Sequence, residues 1–273
     1  MAEEAPASIA IPRGGDGRLY ELTGLARGPW DPAAAHGGGP AGLLVREVER
    51  HGRDAGMRLA SISSTFYGPV PLGEIELTSE VVKPGRRQKV VRVSLGAAGR
   101  VAIEARAVLL RQAEVALPAG VEDIGPPLTP PEECEPVDRG LWSAGDEIAF
   151  HRTANTVMRI QGGPEVVGQT GAAWFRLHYP LLPGEEISPA QRAAAAADFG
   201  NGLAHPVAFG EYLFANCDLN VSTFRDPVGE WIGLVSRTDV DPVGSGLTTT
   251  DLHDRRGRFG AATQSLYIDR AGD

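Results

Sequence analysis

Cysteine is nearly missing from this chain: there are two in 273 residues, Cys134 and Cys217. One lies in a Pro-rich segment and the other in a strand-like run. They make no metal-ligand spacing and no disulfide framework, and such usage suits a reducing, cytoplasmic compartment. A basic excess is missing too. The 26 Lys and Arg face 35 Asp and Glu, a formal net charge of −9, and no segment carries a basic stripe. That excludes the electrostatic footprint of a nucleic-acid binder and works against docking on anionic membranes. No stretch reaches the roughly 18 apolar residues of a membrane span. The opening "MAEEAPASIAIPRGGDG" is acidic without an apolar centre, so it is not read as a signal peptide. The histidines His36, His51, His151, His178, His205 and His253 show no metal spacing, and no metal or cofactor is expected. What the chain does have is 42% hydrophobic and 22% charged residues, a globular composition long enough for one large domain or two ordinary ones.

Its elements fall into two similar runs. In the first, "RLYELTG" is a short strand candidate. A helix is predicted from about Pro40 to Ala55, with Gly56 as its stop. Four strands follow. In "ASISSTF", Ala60, Ile62, Ser64 and Phe66 alternate with Ser61, Ser63 and Thr65; "EIELTSEVV" alternates likewise; "RQKVVRVSL" and "VAIEARAVLLR" complete an antiparallel meander joined by the short turns "KPGRR" and "GAAGR". In the second run, "DEIAFHRTANTVM" and "GAAWFRLHY" are strand candidates. "SPAQRAAAAADFG" is a helix with Ser188 as N-cap, Pro189 at its first position and Gln191 closing a capping box. The strands "YLFANCDLNVSTF", "EWIGLVSRT", "GSGLTTTDLHD" and "RFGAATQSLYID" follow. Between the runs, Leu117 to Gly140 is dense in Pro and Glu and lacks apolar periodicity. It reads as a linker between a unit of residues 1–116 and a unit of residues 141–273, or as a surface loop within one domain. The repeated order is an internal duplication of a helix-on-sheet unit, an α+β architecture.

The stretch "HGGGP", His36 to Pro40, introduces the first helix. Pro40 suits the first helical position and Gly39 an N-cap, which leaves Gly37 and Gly38 to account for. One reading is a flexible turn. The other is a backbone that approaches a ligand at the positive end of a helix, with His36 touching that ligand or capping the turn.

A long helix wrapped by an antiparallel sheet and introduced by a Gly-rich turn resembles the hot-dog fold. Two such units in one chain resemble the acyl-CoA thioesterase II family, the double hot-dog thioesterases. The likeness is carried by "GPWDPAAAHGGGPAGLLVREVE" in the first half and by "DFGNGL", "ANCDLNVSTFRDPVGEWIGLVSRT" and "GRFGAATQSLYI" in the second. The resemblance implies hydrolysis of an acyl-CoA substrate, with an aspartate, a hydroxyl residue and a glutamine holding the attacking water; separately, sheet edges invite pairing, so a homo-oligomer is expected. By position these fall on Asp218 in "NCDLNV", on Thr238 (or Ser236, two residues away) in "VSRTDV", and on Gln264 in "AATQSL". The His that often follows the aspartate in that family is Leu219 here. The glycine turn His36, Gly37, Gly38 would border the thioester.

The residues allow this chemistry without requiring it. Along Tyr212 to Phe224, Asn216, Asp218 and Asn220 fall on one face, which is either a wet pocket or a solvent face. Gln264 falls with Ala262, Leu266 and Ile268, where a buried amide must find partners. Thr238 is also an ordinary strand-end residue. Arg225 and Arg237 suit coenzyme A phosphates or plain surface positions, and Asp198 in "DFGNG" suits a helix stop or a pocket wall. Thioester hydrolysis needs a base on water and donors at the oxyanion. The competing readings are a non-catalytic acyl-thioester binder and a hot-dog hydratase or dehydratase. The latter wants a histidine paired with a carboxylate, and no spacing in the sequence supplies that pair.

Overall fold

The computed structural model describes residues 7–15, 17–121, 124–137, 148–162 and 167–271. Strands β1 (Ala10–Arg13) and β2 (Leu19–Leu22) precede helix α1 (Gly38–Glu49). The meander β3 (Met57–Phe66), β4 (Gly73–Lys83), β5 (Gln88–Ala97) and β6 (Arg100–Arg111) follows. The second half has β7 (Glu135–Pro136), β8 (Asn155–Gln161), β9 (Thr170–Leu177), α2 (Pro189–Ala197) and α3 (Gly200–Leu203). It ends with β10 (Tyr212–Asn216), β11 (Asp218–Thr223), β12 (Ile232–Asp241), β13 (Ser245–Asp254) and β14 (Gly257–Arg270). Every pairing between these strands is antiparallel. They form one sheet in the order β1-β2-β4-β5-β6-β3-β11-β14-β13-β12-β9-β8-β7, with β10 also on β14. The halves meet where β3 pairs β11, from Asp218 opposite Thr65 to Ser222 opposite Ser61. Among the described residues no helix is long and apolar enough to cross a membrane.

The meander forms because period-two strands put one apolar row on the helices. Ile75 and Leu77 of β4, Val91, Val93 and Leu95 of β5, and Ile103, Ala105 and Ala107 of β6 are buried. The β5–β6 turn holds Ala98 and Gly99 at φ 51° and 75°, the positive-φ pair of a two-residue hairpin turn. The two helices run antiparallel. The end of α1 reaches the start of α2, where Glu49 accepts from Ser188 Oγ and Gln191 Nε2, each at 2.7 Å. The same two residues close the predicted capping box. Arg46 of α1 pairs with Glu185 just ahead of α2.

Four expectations need correction. Helix α1 begins at Gly38, not Pro40, and its regular part ends at Glu49; Gly37 is its cap residue. The strand expected across "DEIAFHRTANTVM" starts only at Asn155: Phe150–Ala154 form one wide helical turn, and Asp146 and Glu147 lie outside the described residues. The segment Tyr212 to Phe224 is two strands, broken at Cys217. Its N-terminal part pairs Asn216 with Leu266, while the C-terminal part pairs Asn220 with Thr263, so one extra residue is accommodated between them as in a bulge. Finally, "HGGGP" is not a flexible turn. A Cβ on Gly38 would sit 2.5 Å from the carbonyl oxygen of Ala195 and 2.7 Å from Phe150, and one on Gly39 3.1 Å from Ile9. The glycines let α1 lie directly on α2 and on the turn at Phe150.

Candidate active site

A cavity of about 420 Å3 opens between the halves, at the start of α1 and the end of α2. Its floor is polar. His36 Nδ1 lies 2.9 Å from Asp198 Oδ2, with side-chain exposures of only 10% and 5%. Asp198 is the residue that closes α2, and a carboxylate there is disfavoured by that helix's own dipole. Two things offset this. Asn216 Nδ2 donates to Asp198 Oδ1 at 3.1 Å, and the head of α1 points at the same carboxylate. A Cβ on Gly37 would come 2.8 Å from Asp198 Oδ2, so glycine at this position makes room for the acid. The break at Cys217 is what turns Asn216 inward, toward the cavity it lines.

The imidazole is held as firmly as the acid. His36 stacks on Phe150 at 5.1 Å and packs at a tilt against Phe199 at 4.4 Å between centroids. Gly38 N–H lies 3.0 Å from the same Nδ1. With its proton on Nδ1 the ring donates to Asp198 and presents a lone pair at Nε2; with the proton on Nε2 it accepts from Gly38. Buried His151 also lines the cavity. Burial pushes its pKa down to about 3, helped by the positive potential of His36 and Arg152, so it is neutral at ordinary pH. Trp30, Phe66, Val70, Phe209 and Phe214 make the apolar walls.

The residues singled out by the family resemblance divide. His36 and Gly37 line the cavity; Gly38 is buried behind them. Gln264 is inward and buried, as its alternation predicted. It lies behind the α2–α3 junction, where Oε1 accepts from Asn201 N–H at 3.1 Å and Nε2 reaches the Asp198 carbonyl at 3.4 Å. Thr238 and Ser236 are both inward and buried, and their hydroxyls pair with Thr248 at 2.7 Å and Thr250 at 2.9 Å. Asp218 is not brought to them. With Leu219 and Val221 packed in the core, Asp218 takes the opposite face of β11. There it accepts from the Ser265 amide at 2.7 Å and the Ser265 hydroxyl at 3.0 Å. Asp218 keeps the outer face that alternation with Leu219 and Val221 gives it; the extra residue at Cys217 brings Asn216, not Asp218, to the inward face. Arg225 is locked to buried Asp254, with one bond at 2.8 Å, and Arg237 pairs with Asp239 on the surface; neither lines the cavity. Sequence reasoning reads Asp198 and Asn216 only as a helix stop or pocket wall and as part of a polar strand face, not as partners of the histidine. Their signals, a helix-stop motif and a strand-face amide, do not point to His36.

A largely apolar cavity with a histidine–carboxylate contact on its floor, lying where two helix-bearing halves of one antiparallel sheet meet, has the architecture of a hot-dog protein. The family model of the acyl-CoA thioesterase N-terminal domain matches residues 26–110, and that of the C-terminal domain matches residues 131–268. The chain belongs to the acyl-CoA thioesterase family and is a thioester hydrolase. Solved structures agree on the fold. A candidate thioesterase II from Thermobifida fusca is 18% identical over 97% of this chain and 96% of its own, with a TM-score of 0.75. A hot-dog-fold protein from Alicyclobacillus acidocaldarius is 17% identical over 94% and 95%, with a TM-score of 0.71. An acyl-CoA thioesterase II from Mycobacterium marinum is 16% identical over 95% and 96%, with a TM-score of 0.65. None of the curated proteins matches the chain by sequence.

Proposed function

We propose that the chain is a double hot-dog acyl-CoA thioesterase whose water is activated by His36 supported by Asp198. The observation that carries this is the 2.9 Å contact between Nδ1 and the carboxylate on the floor of an apolar cavity. In this reading residues 1–116 and 141–273 are the two hot-dog units, and 117–140 connects them. With its proton on Nδ1, the ring takes a proton from water at Nε2 while the water oxygen bonds to the thioester carbon. The imidazolium is stabilised by Asp198. The amide of Gly37, the cap residue ahead of α1, stabilises the oxyanion. The C–S bond then breaks, and the thiolate takes the proton back from Nε2. Gln264, with the paired hydroxyls of Thr238 and Ser236 near it, supports the turn that carries Asp198 and does not hold the water itself. The two free cysteines fit a reducing cytoplasm. A homo-oligomer would form through the outer face of β12–β14, where Leu247 and Tyr267 are exposed.

Thiol release from a panel of acyl-CoA esters tests this. General-base contributions run to about 10²–10⁴-fold, so His36→Gln should lose roughly that much, Asp198→Asn somewhat less, and Asp218→Asn should keep the parent rate. If Asp218→Asn is dead and His36→Gln active, the water site implied by the family resemblance replaces this one. The His–carboxylate pair also suits hydration of an α,β-unsaturated thioester. Loss of enoyl absorbance without thiol release would establish that second reading. Binding without either reaction would identify a non-catalytic binder.

A further inference from the structure

We infer that the acyl group this enzyme takes is compact, an aromatic ring or a chain of at most about eight carbons, and that Trp30 sets the limit. The inference rests on the hydrolase reading for its reaction, and on the shape of the cavity for its substrate. The reacting pair lies at the bottom. His36 and Asp198 are nearly covered, whereas Trp30 at 44% and Tyr67 at 61% exposure form the rim. Behind the imidazole the way is closed by stacked rings. Phe199 lies 4.4 Å from His36 and 4.5 Å from Phe175, and Phe150 backs both His36 and Phe199. A thioester carbon at this floor therefore has both of its arms, acyl group and pantetheine thiol end, in one space of about 420 Å3. A cavity of about 150 Å3 holds a benzene-sized body. One such body plus the thioester and the end of the pantetheine fills the space. A long fatty chain, sharing that space with the thioester and the thiol end, overfills it.

The walls favour a flat ring. Trp30, from the first half, stacks on Phe209 of the second at 4.4 Å, and Phe214 meets both edge-on at 4.8 and 5.8 Å. Phe214 is itself backed by His205 at 5.8 Å. The cluster presents ring faces and edges at the separations aromatic pairs prefer. Trp30 is the removable member: it is on the rim, on a loop, and half exposed.

The test uses the full chain and two readouts. Thiol release is measured with acetyl-, hexanoyl-, phenylacetyl- and palmitoyl-CoA. Binding is measured by tryptophan quenching with the matching thioether analogues, which cannot be hydrolysed; Trp30→Phe identifies the signal that comes from Trp30. Phenylacetyl-CoA should exceed palmitoyl-CoA roughly tenfold or more in kcat/KM, the scale of discrimination hydrophobic pockets reach. The analogues should bind in the same order, and Trp30→Ala should shrink the gap to about threefold or less. Palmitoyl preferred or equal, in rate or in binding, overturns the inference and leaves thioester hydrolysis standing. An unchanged preference in Trp30→Ala overturns the role of Trp30. If no ester is cleaved yet the analogues keep this order, the substrate class holds and the hydrolase reading fails.

Discussion

Asp198 is held from two sides, by His36 at 2.9 Å and by Asn216 at 3.1 Å, and the amide is the partner that keeps the site singly charged. Asn216→Asp would set a second carboxylate against the first. Two like charges that close share a proton and titrate as a pair. The acid limb of the kcat/KM profile should therefore move to higher pH, while Asn216→Ala should lower kcat without moving it; identical profiles in all three proteins would remove Asn216 from the site. Nearby, His151 makes a separate pH prediction. Its pKa falls from 6.5 unfolded to about 3 folded, chiefly through burial. Between these values the unfolded chain binds more protons, so stability is present above pH 6.5 and is lost as pH falls toward 3. Melting curves across that window should show the loss, and His151→Gln should flatten it. Little of this site was legible beforehand. Gln264 and Thr238 were placed inward by simple alternation, which a regular strand preserves. Asn216 and Asp218, which share a face in an unbroken strand, part at Cys217, where one extra residue reverses the alternation, and nothing in "NCDLN" marks it. The pair His36–Asp198 joins two halves of the chain, and no spacing rule connects residues brought together by tertiary packing.

Helices α1 and α2 carry the site, and their closeness depends on residues without side chains. Gly38→Ala would drive a Cβ to 2.5 Å from the Ala195 carbonyl, a backbone atom that has nowhere to go. Overpacking of this kind costs roughly 1–3 kcal/mol, so urea midpoints should fall by a corresponding amount. Gly37→Ala should behave differently. The atoms nearest its Cβ would be those of the Asp198 carboxylate, a side-chain end that can shift, so kcat should drop with little change in midpoint. Equal stability losses in both variants would show that Gly37 too is only a packing residue. At this scale the sequence was more informative. Strand alternation, the Ser188–Gln191 capping box and the positive-φ turn at Gly99 are local features, written within a few residues of where they act. The start of α1 was missed by two residues because Gly38 and Gly39 are poor helix formers, held helical by what they pack against. Phe150–Ala154 form a turn in which buried Phe150 packs against His36 and His151 lines the cavity, contacts that no local pattern announces.

The whole molecule is one sheet around two antiparallel helices, and its seams are polar as well as apolar. Expected pairing through sheet edges finds little to work with: the outer strands are β7, two residues long with Pro136, and β1, four residues long with Pro12, both blunt edges. The internal seam is stronger. At β3–β11, Arg58 donates to the Thr223 carbonyl at 3.2 Å and Thr223 Oγ1 donates to the Leu59 carbonyl at 3.1 Å. Between the helices, half-buried Glu49 accepts from Ser188 and Gln191. Burial raises the pKa of Glu49, against the pull of those two donors, so part of what the clasp contributes is offset by desolvation. With sheet, helices and active site all shared, the halves should unfold together. Circular dichroism should report a transition that coincides with the fluorescence of Trp30 in the first half and Trp174 in the second, the usual test of two-state behaviour. Glu49→Ala removes two charge-assisted bonds worth roughly 1–3 kcal/mol together after the desolvation offset. For a chain of this size that lowers Tm by about 2–4 °C per kcal/mol. The transition should stay single, because the β3–β11 pairing remains. If the clasp variant instead melts in two steps, with the Trp30 signal leaving first, the halves are independent folding units that merely touch, and the shared sheet does not make them one.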